Sequence, residues 1–223
     1  MPDYQLLRKN MVESQVRTND VTDRRVLRAM LDLPRERFVP EGLKALAYSG
    51  EGVTLPRSAA SASQRMLPAP VMTARLIQLA DLNANDKVLE IGAATGYGTA
   101  IIAELAASVT GLESDPGLAA LASANLAVGR VTNATVKTGA LAAGVPDIGA
   151  FDIIIVSGAI PEVPMALRQQ LRDGGRLIAV IADGPIGRAT VFERVGDGFS
   201  SRRAFDASMP TLPGFARKPA FAL

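Results

Sequence analysis

Neither cysteine nor histidine occurs anywhere in these 223 residues. Their absence excludes disulfides, thiol nucleophiles, histidine bases and the usual zinc sites. Long apolar runs are also missing. No stretch approaches the roughly 20 residues that span a bilayer, and the opening Met-Pro-Asp-Tyr-Gln-Leu-Leu-Arg-Lys-Asn has no apolar leader core. A cytoplasmic protein without a membrane partner is the expectation. Nor is there an excess of one charge: 24 Lys and Arg face 22 Asp and Glu, so the chain carries no electrostatic footprint for nucleic acid. The basic residues Arg24, Arg25, Arg28, Arg35 and Arg37 alternate with Asp23, Asp32 and Glu36 and read as solvated helix faces.

A chain of this length with 48% apolar residues can bury a full α/β core. Its first eighty residues read as helical. A lead helix is expected over 4–17, and a second one capped near Thr22, with Val26, Leu27, Met30 and Leu31 inward and Pro34 as its stop. Residues 49–70 are punctuated by Gly50, Gly52, Pro56, Ser58, Ser61, Ser63, Pro68 and Pro70, which predicts a long loop, and a helix resumes over 71–80. Strands are expected at 87–91, 108–112, 135–137, 152–156 and 176–181 with helical segments between them. Residues 190–195 and 200–206 form a hairpin around Gly196-Asp197-Gly198. The fold class is α/β: a Rossmann-like, doubly wound, seven-stranded sheet with an antiparallel C-terminal edge hairpin, preceded by N-terminal helices.

The richest stretch is Val88-Leu89-Glu90-Ile91-Gly92-Ala93-Ala94-Thr95-Gly96, a buried strand that ends in a carboxylate and enters a small-residue turn. A dinucleotide fingerprint needs glycine at the first, third and sixth turn positions; here these are Gly92, Ala94 and Tyr97. Glu90 would also oppose a pyrophosphate, whereas it suits a ligand carrying an ammonium and a sulfonium. Charge and spacing therefore favour S-adenosylmethionine over NAD, against the plain alternative of an ordinary βα turn. Glu113, about twenty residues on at the end of the next strand, is placed to accept both ribose hydroxyls. Alone it could equally be a solvated loop residue.

Several segments carry a more specific likeness: Met11-Val12-Glu13-Ser14-Gln15-Val16-Arg17, Thr22 to Met30, Pro34-Arg35-Glu36-Arg37-Phe38-Val39-Pro40, Ala47-Tyr48, Pro161-Glu162-Val163-Pro164, and Gln170-Leu171 before Gly174-Gly175-Arg176-Leu177. In this order and spacing the chain resembles the protein-L-isoaspartate O-methyltransferases. The resemblance implies methyl transfer from S-adenosylmethionine to the free carboxylate of isoaspartyl residues in a damaged protein or peptide, with repair through a succinimide and S-adenosylhomocysteine as product. It implies one methyltransferase domain over 1–223, with a helical and acceptor-loop region at 1–80 and the cofactor-binding core at 81–223. The implied cofactor residues are Glu90, Gly92, Ala93, Ala94, Gly96, Tyr97, Glu113, Ala140 and Leu141.

Two departures from the family pattern bear on function. The family's Thr-Ile-Ser-Gln-Pro, whose hydroxyl is thought to orient the acceptor carboxylate, aligns with Met66-Leu67-Pro68-Ala69-Pro70, so both hydroxyls are lost. Ser63-Gln64, the catalytic candidates, copy two of those letters five residues too early and could serve only if the loop folds back. Ala140 replaces an aspartate that would accept from the adenine amino group, a loss of about 1 to 3 kcal/mol. Two alternatives therefore stay open: a methyltransferase with another acceptor, and a non-catalytic module that binds S-adenosylmethionine.

Overall fold

Apolar residues on β3 (Lys87–Ile91), β6 (Phe151–Ile160) and β7 (Leu171–Ile181) alternate between two cores. Val88, Ile153, Ile155, Ile178 and Val180 enter one, and Leu89, Ile91, Ile154, Val156, Leu177 and Ala179 enter the other. A strand buried on both faces needs a helix layer on each side, and this is why these runs are almost continuously apolar. The computed structural model describes residues 2–57, 63–182, 184 and 186–215; Ser58 and Ser61 of the expected loop lie outside the described residues.

With β4 (Ser108–Glu113), β5 (Ala134–Thr138), β8 (Arg188–Val195) and β9 (Gly198–Asp206), the seven-stranded sheet has the order β5-β4-β3-β6-β7-β8-β9. The first five are parallel, and β8 pairs antiparallel with both β7 and β9. The expected C-terminal hairpin thus forms the edge, its turn narrowed to Gly196-Asp197 because Val195 pairs with Gly198. Winding reverses between β3 and β6, and crevices at such reversals, beyond the carboxyl ends of the strands, take ligands.

Several local expectations shift. The lead helix is α-helical only over α1 (Tyr4–Asn10) and continues as a π-helical turn, Met11–Val16, then a 3-10 turn, Arg17–Asn19. Met11, Val12 and Val16 are buried along this stretch. The second helix, α2 (Arg24–Asp32), is capped by Asp23, whose carboxylate accepts from the Arg25 N–H, rather than by Thr22. After α3 (Pro70–Ala80), α4 (Tyr97–Ala103) and α5 (Pro116–Val128), only 3-10 turns link β5 to β6, and α6 (Met165–Arg168) is a single turn. Arg35 is not on a solvated face. It is fully buried, its Nε donating to the Ala47 carbonyl at 2.9 Å and its Nη2 to that of Pro68 at 2.8 Å, with the guanidinium 4.8 Å from the Tyr97 ring. Arg24, Arg25, Arg28 and Arg37 are exposed.

The described parts of the long loop, 49–57 and 63–70, are more ordered than its composition suggests. β1 (Val53–Thr54) pairs antiparallel with β2 (Met66–Leu67), Val53 opposite Leu67, and the Leu55 N–H donates to the Arg65 carbonyl at 3.0 Å. The segment folds back on itself, so its second limb runs beside the carboxyl ends of β3 and β4.

Candidate cofactor and acceptor site

The turn after β3 supplies the floor of the site. Gly92 and Gly96 adopt φ of +86° and +90°, a region that glycine enters without penalty. Ala94 sits at φ +51°, where a Cβ costs about 1 to 2 kcal/mol. Its conformation aims the Ala94 N–H at Glu113 Oε2, 2.8 Å away. A side chain on Gly96 would strike α5, since a Cβ there would lie 3.2 Å from that of Ala122.

Glu113, fully buried at the end of β4, is the best-coordinated group in the site. Its Oε1 accepts from the N–H groups of Ser114 at 2.7 Å and Asp115 at 3.1 Å and from the Ser114 hydroxyl at 3.1 Å. Arg65 completes the shell with a bidentate pair, Nε to Oε1 at 2.9 Å and Nη2 to Oε2 at 2.8 Å. Both side chains of this ion pair are nearly inaccessible, at 4% and 0%. Burial alone would raise the Glu113 pKa, but the hydrogen bonds and charge of Arg65, with the N–H groups of Asp115 and Ala94, hold it below the usual carboxylate range. Arg65 Nη2 also lies 3.0 Å from where a Gly92 Cβ would be, and Leu212 closes the other side at 3.1 Å. The absence of a Gly92 side chain makes room for both.

Leu212 arrives by an unexpected route: its N–H donates to the Ala159 carbonyl, and the Ala159 N–H donates to that of Pro210, each at 2.9 Å. The C-terminal segment is thereby laid along an irregular stretch of β6 and over Gly158.

Glu90 lies at the reversal of the sheet. Its Oε2 accepts from the Thr99 hydroxyl at 2.5 Å and its Oε1 from the Ser157 hydroxyl at 2.7 Å, linking α4 to β6 beneath the turn. Burial pushes its pKa up to about 7; the two hydroxyls lower it, Glu113 raises it and Arg65 lowers it. Gly98 leaves the space this carboxylate fills, since a Cβ there would collide with Oε1.

The other expected residues are dispersed. Ala93 is buried in the turn, and Leu141 is buried in the core that holds Leu112. Ala140 is exposed just beyond β5, next to Gly139, whose N–H donates to the Glu113 carbonyl at 3.0 Å. Tyr97 is fully buried under Arg35 and edge-on to Phe38, with ring centroids 5.4 Å apart, and burial raises its pKa to about 12. Gln64 donates its amide to the carbonyls of Leu55 and Arg65, bracing the folded-back loop. Beside β2, a cleft of about 140 Å³ is lined by Met66, Pro68, Ala69, Met72, Met209 and Pro210 among others.

Contributors missed from sequence include Arg65, Leu212, the buried Arg35, and the hydroxyls of Thr99 and Ser157 on Glu90 and of Ser114 on Glu113. The apolar positions Val53, Leu55, Met66 and Leu67 flanking the loop are what a short hairpin requires, but they carry no signal that Arg65 is buried. For Leu212 there is none either.

The site's residues suit S-adenosylmethionine in kind. A small-residue turn permits close approach to backbone, and a strand-end carboxylate preorganised by three N–H groups suits a vicinal diol. For a diol to reach Glu113, Arg65 must give way.

A family model described as protein-L-isoaspartate(D-aspartate) O-methyltransferase matches residues 7–207. The protein-L-isoaspartate O-methyltransferase of Methanoculleus marisnigri is 38% identical over 180 residues, covering 78% of this chain and 76% of the relative. That of a Roseiflexus species is 34% identical over 212 residues, covering 95% and 94%. Among solved structures, a protein-L-isoaspartate O-methyltransferase superposes with a TM-score of 0.81 at 22% identity over 93% of this chain and 67% of its own. A Plasmodium falciparum structure described as a protein-L-isoaspartate O-methyltransferase in complex with S-adenosyl-L-homocysteine superposes at 0.73, with 20% identity, over 96% of this chain and all of its own. These two likenesses establish the shared fold.

Proposed function

This chain belongs to the protein-L-isoaspartate(D-aspartate) O-methyltransferase family of S-adenosylmethionine-dependent enzymes, and from that premise we propose that it methylates the free carboxylate of isoaspartyl residues in proteins or peptides. The observation that carries the reading is the likeness over residues 7–207, which spans both the turn after β3 and the loop before α3. When bound, the cofactor supplies an electrophilic sulfonium methyl. Glu113 would take the ribose diol, and the backbone of 92–96 would lie along the methionine portion.

The chemistry asks little of acid and base groups. An acceptor carboxylate is already ionised at neutral pH, so a chain without histidine loses nothing by it. What these residues must do is align the acceptor and exclude water. Pro68 has no hydroxyl and no N–H to donate, and its carbonyl is held by Arg35. The cleft beside Met66 and Pro68 is apolar on that side, with Glu51 and Ser208 as its polar lining. We assign a further hydroxyl to Ser63, two residues before Arg65 and outside that lining, with Gln64 bracing the segment through the Leu55 carbonyl. Ser63→Ala is expected to lower kcat by about tenfold through lost alignment; full turnover would reduce Ser63 to a loop residue.

Calorimetry with S-adenosylmethionine and S-adenosylhomocysteine, followed by labelled methyl transfer to an isoaspartyl peptide and its aspartyl counterpart, tests the reading. Binding of both cofactor forms and transfer to the isoaspartyl peptide alone are expected. Binding without transfer would remove the isoaspartyl acceptor, and no binding would remove the cofactor reading as well.

A further inference from the structure

Arg65 occupies the very atoms that the cofactor's ribose needs. The two oxygens of Glu113 carry six hydrogen bonds, four from residues 94, 114 and 115 and two from the guanidinium. The guanidinium fork engages both oxygens at once, Nε on Oε1 and Nη2 on Oε2, so a diol that bonds both oxygens must take the place of the fork. The guanidinium also lies over Gly92, against the backbone that the methionine portion would follow. We propose that Arg65 is an internal competitor of the cofactor: it latches the ribose-recognising carboxylate Glu113, and its displacement by S-adenosylmethionine releases the acceptor segment that carries it. The inference rests on the assignment of Glu113 to the ribose.

The latch couples two sites through a short piece of backbone. Arg65 is followed directly by Met66 and Leu67 of β2, and its own carbonyl is tied to Leu55 across the hairpin. Met66 and Pro68 line the cleft beside it. While the guanidinium is on Glu113, these residues are pinned over the turn; once the ribose takes Glu113, that pin is gone and they are held by main-chain pairing, the Gln64 amide and the Arg35 contact to Pro68. Cofactor and guanidinium share one carboxylate, so each must weaken the hold of the other by the same factor. The cofactor's apparent affinity is then its intrinsic affinity multiplied by the fraction of molecules in which Arg65 is away from Glu113. A purely structural pin elsewhere in the protein would have no such effect.

Calorimetric titration of S-adenosylhomocysteine into wild-type, Arg65→Gln and Arg65→Lys chains tests this, each checked for folding by far-ultraviolet circular dichroism. Glutamine removes the charge and the fork, and lysine keeps the charge without bidentate geometry. Tightening by about tenfold or more is expected in Arg65→Gln, with Arg65→Lys between it and wild type. Should Arg65→Gln fail to fold, tightening of about threefold in Arg65→Lys upholds the latch and none overturns it. Equal affinity in all three chains would overturn the latch while leaving the cofactor reading intact. Weaker binding in Arg65→Gln would make Arg65 a cofactor-holding residue and overturn the latch as well. No binding by any folded chain would bring down the assignment of Glu113 and the latch together.

Discussion

Glu113→Ala is expected to destabilise the fold by about 3 to 5 kcal/mol, because it leaves the Arg65 guanidinium buried without a counter-charge. For a chain of this size that lowers the melting temperature by roughly 10 °C. The cause is specific and separable. Arg65 is only 4% accessible, so water cannot replace the lost carboxylate without rearrangement of the loop. Removing both charges, in Arg65→Ala with Glu113→Ala, is expected to restore much of the loss, since no unpaired ion then remains. Scanning calorimetry of the two single variants and the double variant completes the cycle. A melting temperature unchanged by Glu113→Ala, or a double variant as unstable as the sum of the singles, would show that the pair is not the buried contact described above. The same substitution should weaken S-adenosylhomocysteine binding by about tenfold or more through lost charge-assisted hydrogen bonds.

Glu90→Gln should stabilise the protein in mild alkali and do little in acid. The folded Glu90 carboxyl has its pKa pushed up to about 7 from 4.5. Below pH 4.5 both folded and unfolded chains carry the proton. Between 4.5 and 7 the folded chain keeps a proton that the unfolded chain releases, so stability drains as pH rises, by about 3 kcal/mol in all at 1.36 kcal/mol per unit. Glutamine stays neutral, and the hydroxyls of Thr99 and Ser157 can each accept from its amide as readily as donate to its oxygen. Urea unfolding at pH 5 and pH 8 should therefore give nearly equal stabilities for the two chains at pH 5 and a gain of about 1 to 3 kcal/mol for Glu90→Gln at pH 8. Parallel behaviour at both pH values would mean that Glu90 is solvated. Glu113 acts in the opposite sense. Its lowered pKa contributes stability above about 4.5, which is lost as pH falls through the folded value.

These two carboxylates sit near the carboxyl ends of the adjacent strands β3 and β4 yet answer to different surroundings. Glu90 has two neutral hydroxyl donors and no cation of its own, whereas Glu113 has a guanidinium and three N–H groups. Hydroxyls offset only part of the desolvation of an ion, while a bidentate cation offsets more. Both residues were legible from their positions at strand ends; the difference between them was not, since it depends on which side chains reach them.

Strands, their order of appearance and the glycine turn were determined by the sequence itself, because burial on both faces writes an uninterrupted apolar run and a tight turn demands residues without bulk. The same holds for Glu90 and Glu113, which follow directly from the strands that end in them. The folded-back loop, the irregular lead helix and the closing Leu212 were decided by tertiary structure. Arg65 and Glu113 lie 48 residues apart, and nothing in the residues around Arg65 distinguishes a solvated arginine from a buried one. The register of β1 with β2 sets its backbone beside β4, and desolvation of Glu113 makes a cation the favoured neighbour. Composition around Arg35 likewise favours a surface helix, but closure of the Pro34–Tyr48 segment over Tyr97 encloses it. Periodicity is a local property of the chain, whereas the pairing of buried charges follows from which distant segments are brought together.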